Sequence, residues 1–331
     1  MNHGPIFIGG LERSGTSLIY ALLASHPNIA MTRRTNLWAY FYNRYGDLGK
    51  PANFERCFTT LMHYKRVLVL NPDPDRLRRE FLQGEPTYAR LFSLIEAHYA
   101  ERVGKPRWGD KSLNTERYAD PIFAAYPTAR ILHMIRDPRD RYASAVTRWK
   151  VKRGGIGAGT AMWLSSVHLA KRNQQRYPEQ YRIVRYETLA FRPEETLRDI
   201  CAFIGEDYSP AMLGMEGAET FRDEGSNSSY GQIEPGVIST KSIGRYRKVL
   251  SRQEIAFTQA QARADMLALD YTLDPIELSG RERLQYAGWD WPLNRARMIA
   301  WNTQEAVRDR IGRNVPSYRL VPDAQLAEAS I

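Results

Sequence analysis

The sequence predicts an α/β fold, a parallel sheet flanked by helices around a P-loop-like turn. Three observations predict it. Apolar runs of strand length alternate along the chain with longer stretches of helical periodicity. The first run, "PIFIGG" at 5–10, passes through a glycine turn straight into helical spacing. That turn, Gly10-Leu11-Glu12-Arg13-Ser14-Gly15-Thr16-Ser17, follows the pattern G-x-x-x-x-G-K-[ST], except that Thr16 stands where the lysine would be.

Each element follows in order. The helix after the turn shows Leu18, Leu22 and Leu23 on one face. Asn36–Tyr45 and Phe54–Leu68 read as helical and aromatic-rich. "PTYARLFSLIEAHYAERVGKP", 86–106, is a helix with a proline at its start and Gly104-Lys105-Pro106 at its stop. "RWGDKS" is a short strand ending in polar residues, and "ARILHMIRDP", 129–138, a buried one. Pro138 suits the first turn of a helix running to Trp149. Residues 159–178 form an amphipathic helix, "YRIVRYETL" a strand, and "PEETLRDICAFIG" a helix closed by Gly205. The mostly helical insert at about 36–105 separates the first two strands and is expected to supply a lid or acceptor-binding wall. Residues 217–242, rich in Gly, Ser and Asn, read as a long loop. The division expected is an α/β domain over 1–279 and an aromatic, arginine-rich helical extension over 280–331.

At 331 residues, with 43% hydrophobic and 25% charged residues, the chain has the make-up of a globular protein with a sizeable core. Two cysteines, Cys57 and Cys201, are too few for a disulfide framework and fit a reducing cytoplasm. The N-terminus does not read as a signal peptide, and no apolar run approaches the roughly 18 residues of a spanning helix. A net charge of +10 favours anionic partners, which include nucleotide phosphates, acidic glycans, nucleic acid and a membrane surface. A solvated basic surface explains charge alone equally well.

Two stretches carry chemistry. The backbone amides of Ser14 to Ser17 lie at a helix N-terminus, where unpaired donors and the helix dipole favour an anion. An NTPase loop uses its lysine on the β/γ phosphates and the next hydroxyl on Mg²⁺. With Thr16 in the lysine position, a ligand with one 5′-terminal anionic group and no bridging metal fits better. The second stretch is "IRDPRDRYASAVTRW", 135–149. Arg136 ends a strand, where α/β sheets bind ligands, and Ser144 and Arg148 share a helix face. Arg139 and Arg141 are expected to pair internally with Asp137 and Asp140. Two separated anion sites suit a nucleotide with a 5′ and a 3′ phosphate.

The chain resembles the sulfotransferases that use 3′-phosphoadenosine-5′-phosphosulfate (PAPS). "GGLERSGTSLIYALLASHP" is similar to their 5′-phosphosulfate loop, nearest in form to the protein-tyrosine sulfotransferase branch. "IRDPRDRYASAVTRW" is similar to their 3′-phosphate motif, an arginine followed eight residues later by a serine. "VRYETLAFRPEETLRDICAFIG" resembles the next strand-helix unit, and "STKSIGRYRKVLS" the basic-aromatic segment that closes over the nucleotide. The resemblance implies that Arg13, Ser14, Gly15, Thr16 and Ser17 hold the 5′-phosphosulfate, and that Arg136, Ser144 and Arg148 hold the 3′-phosphate. It implies further binding by Arg245 and by a serine of "SNSS", taken as Ser229. Tyr186 matches a tyrosine beside the adenine, although a core aromatic explains it equally. Lys111 in "GDKS" matches a lysine that approaches the bridging oxygen. PAPS is then the donor, PAP the product, and no metal is required.

One departure matters. Arg34 in "HPNIAMTRRTN" stands where the tyrosine branch has a catalytic glutamate. Arginine cannot serve as a base at neutral pH. Asp110 and Glu85 are the carboxylate candidates for that role, while His26 and His133 read as structural. Arg33 and Arg34, beside Trp38, Tyr40, Phe41 and Tyr42, predict an acceptor that is itself anionic, though these aromatics also suit a core helix. The acceptor class stays open among glycan, lipid-linked sugar, small alcohol or phenol, and peptide tyrosine. Two other functions fit less of the sequence: a non-catalytic polyanion or nucleic-acid binder, and a nucleotide-type kinase with ATP and Mg²⁺.

Overall fold

Ile6–Gly10 (β1) is wholly buried and lies at the centre of a five-stranded sheet in the computed structural model, which describes residues 4–149, 154–218, 238–312 and 314–322. The other strands are Ile29–Arg33 (β2), Arg107–Lys111 (β3), Arg130–Ile135 (β4) and Tyr181–Arg185 (β5). Every pairing is parallel, and the spatial order is β2-β3-β1-β4-β5. All five strands therefore end on one edge, where open α/β sheets bind their ligands.

Alternation along β1 divides the core. Phe7 points to one face, where it meets Phe92 at 6.0 Å, Trp108 at 5.8 Å and Tyr126 at 6.1 Å. Ile6 and Ile8 point to the other and pack with Ile19, Leu22 and Leu23 of Thr16–Ala24 (α1). The insert between β2 and β3 carries five helices: Leu37–Tyr40 (α2), Pro51–His63 (α3), Lys65–Leu68 (α4), Pro74–Leu82 (α5) and Tyr88–Arg102 (α6). Ala119–Ala125 (α7) precedes β4, and Pro138–Trp149 (α8) and Gly155–Arg176 (α9) follow it.

Four expectations change. The segment "IAMTR" is a strand, so the insert separates the second and third strands rather than the first two. The expected helix over 36–45 shrinks to α2, because Asn36 and Asn43 take left-handed backbone conformations that end helical runs. The helix over 54–68 breaks at Tyr64, whose extended backbone lets its hydroxyl donate to Thr35 O at 2.7 Å. The strand over 181–189 stops at Arg185 and turns into Tyr186–Phe191 (α10), followed by Pro193–Ile204 (α11) with Gly205 as its left-handed cap.

Beyond the short Ala211–Gly214 (α12), most of the expected 217–242 loop lies outside the described residues. The chain resumes through Tyr246–Val249 (α13) and Arg252–Ala268 (α14). The tail from 280 is helical as expected: Gly280–Gln285 (α15), a wide turn over Tyr286–Asp290, then Trp291–Ile311 (α16). α16 lies along α9, and a side chain at Gly157 would strike the Asn294 backbone.

Candidate active site at the carboxyl ends of the strands

The loop after β1 is built by backbone conformation. Gly10 (φ 109°), Arg13 (φ 69°) and Gly15 (φ 90°) are all left-handed. A Cβ on Gly10 would meet the Met134 backbone of β4, and one on Gly15 would meet the Tyr186 ring. Both glycines are thus required by conformation and by space. Gly15 precedes α1 with no side-chain cap, so the amides at that helix end remain for an anion. Ser14 and Thr16 are buried, and Ser17 is half-buried.

The second motif converges on this loop. Arg136, at the end of β4 and 3% exposed, donates from Nη1 to Arg13 O at 3.2 Å and from Nη2 to Ser242 O at 2.7 Å. Its guanidinium lies 4.5 Å from the centre of the Tyr186 ring, and the Tyr186 hydroxyl bonds Ser242 Oγ at 2.8 Å. Ser144, one face along α8, accepts from Arg13 Nε at 2.9 Å. Asp140 accepts from the Gly244 and Tyr246 amides at 2.7 and 2.9 Å, which pins the 242–246 segment over Arg136. Arg139 pairs with Asp137 as expected, with Nη2 2.6 Å from Oδ2. Arg141 does not pair within its own helix: it is bound to Glu12 of the loop, and Asp140 is used by the 242–246 segment instead.

Lys111 ends β3 and is 5% exposed. Burial, with help from the Arg34 and Arg33 charges, brings its ammonium down to about 8, against the opposing pull of Asp110 and Glu12. Asp110 is enclosed. Its Oδ1 accepts from Thr35 Oγ at 2.7 Å and lies 3.0 Å from Thr32 Oγ, which also lies 3.1 Å from Glu96 Oε1. One hydroxyl hydrogen serves one carboxylate, so the other carboxyl supplies its own. Glu96 is that group, since burial and then the Asp110 charge raise it well above the usual carboxylate range. Burial raises Asp110 as well, against the hydroxyls of Thr35, Ser112 and Thr32. The expected base beside Lys111 is thus bound through Oδ1, while its Oδ2 is buried with no hydrogen-bond partner among the described residues.

Arg148 is exposed on the turn of α8 beyond Ser144, and Arg245 is half-buried within the pinned segment. Ser229 lies outside the described residues. Glu85 is exposed at the rim of a cleft of about 800 Å³ in the insert, walled by Trp38, Tyr42, Tyr88 and Tyr126. Lys111, Arg33 and Arg34 are not among its walls. Trp38 and Phe41 are buried, while Tyr40 and Tyr42 are half-buried, so the aromatics serve the core and the cleft together. His26 donates from Nε2 to Asp207 O at 2.8 Å, and His133 lies wholly inside, both in structural roles. Sequence reasoning missed Glu12 and Ser242, and gave Asp140 a helix-internal partner in place of the Gly244 and Tyr246 amides. Glu12 sits inside the quoted loop, and its charge acts on Lys111. Ser242 enters through a backbone carbonyl, which no side-chain pattern announces.

A model of the sulfotransferase family matches residues 5–210, which include both anion motifs. Relatives include a protein-tyrosine sulfotransferase of Drosophila melanogaster, 25% identical over 64% of this chain and 40% of that protein. The nodulation protein NoeE of Sinorhizobium fredii is 24% identical over 85% of this chain and 67% of its own length. The chain thus spans less than half of the Drosophila protein it matches. Among solved structures, the sulfotransferase domain from the curacin biosynthetic pathway aligns with a TM-score of 0.53 and 18% identity, covering 82% of this chain and 99% of that one. That likeness is one of fold, and it matches the parallel five-stranded sheet. By the family model that spans more than half its length, the chain belongs to the sulfotransferase family.

Proposed function

We propose that the protein transfers a sulfuryl group from PAPS to an acceptor hydroxyl. The observation that carries this reading is the meeting of two anion motifs at one residue: Arg13 touches Ser144 through its side chain and Arg136 through its carbonyl. In this reading Arg13, the Ser14 hydroxyl and the amides of Gly15, Thr16 and Ser17 hold the 5′ end, while the Ser14 amide closes the turn on Leu11 O. Arg136, Ser144 and Arg148 hold the 3′-phosphate, with Arg245 and Ser229 closing from the C-terminal side. Tyr186 supports Arg136 and flanks the adenine. Two buried free cysteines, Cys57 and Cys201, support a reducing, cytoplasmic setting. Among the described residues no helix is long and apolar enough to cross a membrane.

The chemistry is an in-line displacement. The acceptor oxygen bonds to sulfur, the sulfur–oxygen bond to phosphate breaks, and PAP leaves with the electron pair. Lys111 and Arg13 stabilise the charge that grows on the leaving oxygen. The acceptor proton goes to a carboxylate whose charge acts on Lys111: Asp110, whose buried Oδ2 has no partner among the described residues, or Glu12, which Arg141 also binds. Asp110 holds the turn after β2 and the charge of Lys111. Arg33 and Arg34, whose charges reach Lys111, hold an anionic acceptor.

Calorimetry with PAP in EDTA tests the donor. PAP is expected to bind without metal, and Mg·ATP much more weakly. Tighter Mg·ATP binding rejects the reading. Asp110→Asn or Glu12→Gln, whichever removes the base, is expected to lower kcat about a hundredfold, within the usual range for a general base. Full activity in both would remove them from that role and return the question to Glu85→Gln.

A further inference from the structure

Glu116 follows β3 in the short turn Thr115–Tyr118 and is 1% exposed. Nothing in the proposed reaction uses it. Its Oε2 accepts from the Gly10 amide at 3.2 Å, across more than a hundred residues of chain. Its Oε1 lies 3.3 Å from Ser166 Oγ on α9. Ser166 Oγ is 3.1 Å from His133 Nε2, and His133 Nδ1 is 2.7 Å from the Tyr181 hydroxyl.

Hydrogen directions along this row are constrained. A carboxylate only accepts, so Ser166 gives its hydrogen to Glu116. Ser166 must then receive one from His133 Nε2, which leaves Nδ1 to accept from Tyr181. Burial lowers His133, which agrees with a neutral ring in that tautomer. Every hydrogen in the row, together with the Gly10 amide, points toward Glu116.

Gly10 is where the strand becomes the loop. Its φ of 109° and its contact with Met134 leave no room for a side chain to set the turn. A Cβ on Gly9 would stand 3.2 Å from Glu116 Oε2, so the glycine pair also admits the carboxylate. The peptide plane between Gly9 and Gly10 fixes the direction in which residues 11–17 leave the sheet. We propose that Glu116 is a positioning residue: by holding the Gly10 amide it sets the orientation of the anion-binding loop. It touches neither donor nor acceptor.

The inference rests on the reading of that loop as the nucleotide site, and the test separates the two. Glu116→Gln keeps the shape but offers Gly10 a neutral acceptor, weaker than a charged one. Its amide hydrogens also force Ser166 to accept and the row behind it to reverse. The measurements are calorimetry with PAP and hydrogen exchange of the amides at 10–17 against those of β4. Expected are at least a tenfold weaker PAP affinity, faster exchange in the loop alone, and an unchanged acceptor KM. PAP affinity within twofold of wild type overturns the proposal. Should wild type itself not bind PAP, the functional reading fails, and loop exchange alone decides: unchanged exchange in Glu116→Gln overturns the positioning role. Where Glu116→Gln does not fold, Ser166→Ala decides, with about threefold weaker binding expected and no change counting against it.

Discussion

Lys111 shows how one residue joins stability to chemistry. Burial holds it near 8 instead of the ordinary 10.5, a gap worth on the order of 3 kcal/mol. The folded state therefore binds fewer protons than the unfolded chain between those values. Stability should rise with pH from about 8 to about 10.5, because the cost of a buried ammonium is present in full only below 8. Activity should move the other way, since in the proposed reaction only the ammonium stabilises the leaving group. We expect kcat to fall as pH rises through about 8, and Lys111→Ala to lower kcat about a hundredfold with PAP affinity within threefold. A flat kcat profile from pH 7 to 9 would mean that the lysine charge is not used. Glu96 carries the opposite sign. Its raised folded value makes stability fall as pH climbs above the unfolded carboxyl near 4.3. Glu96→Gln supplies the same hydrogen to Thr32 with no charge to bury. It should leave Tm unchanged near pH 4 and raise it by a few degrees at pH 8. A Tm that drops equally at both would show that the carboxyl is ionised in the fold.

At the scale of elements, the turn from β1 into α1 depends on two separable features at Gly15. One is its left-handed backbone, and the other is the Tyr186 ring against it. Gly104 is also left-handed, at φ 70°, but has nothing within 4 Å of a built Cβ. Gly104→Ala should therefore cost about 1 kcal/mol of backbone strain alone. Gly15→Ala should cost about 1–3 kcal/mol more, through displaced Tyr186, and should abolish PAP binding. Chemical denaturation of the two variants checks this, and equal losses would mean the tyrosine yields freely. The same elements show what the sequence could reveal. The β1 loop, α8 from Pro138 to Trp149 and the Gly205 cap are legible because each is marked by local chemistry: glycine, proline or an apolar run. Strand β2 is not. Its five residues end in Arg33, and only pairing with β3 from Ile29↔Arg107 to Arg33↔Lys111 makes them a strand. Its consequence is one of placement, because it carries Arg33 and Arg34 to the end of the sheet, where their charges act on Lys111. The partners of Arg141 and Asp140 were equally hidden: an ion pair to Glu12 and hydrogen bonds from the Gly244 and Tyr246 amides leave no spacing in the chain, whereas Arg139 and Asp137, two residues apart, do.

At the scale of the whole molecule, the question is whether residues from 280 onward form an extension that can be removed. The expected division predicts that 1–279 folds alone and keeps its site. The contacts of α16 argue for dependence. Besides lying along α9, it offers Glu305 and Asp309 to Arg117 at 3.2 and 2.5 Å, and its last carbonyl, Ile311 O, accepts from Arg44 at 2.8 Å. Arg117 is the neighbour of Glu116 in the turn that holds the Gly10 amide, and Arg44 lines the insert cleft. The tail thus braces both the turn that holds the β1–α1 loop and the insert from behind. Removing 280–331 would bare the apolar side of α9 and release Arg117 together. We expect the truncated chain to lose several degrees in Tm and to bind PAP at least tenfold more weakly. The double change Glu305→Gln/Asp309→Asn isolates the brace from the packing. It should cost about 1–3 kcal/mol, because Asp309 is half-exposed but Arg117 and Glu305 are largely buried, while still weakening PAP two- to fivefold through the Thr115–Tyr118 turn. A truncated protein with wild-type stability and PAP affinity would establish 1–279 as the independent unit and leave α16 without a part in the site.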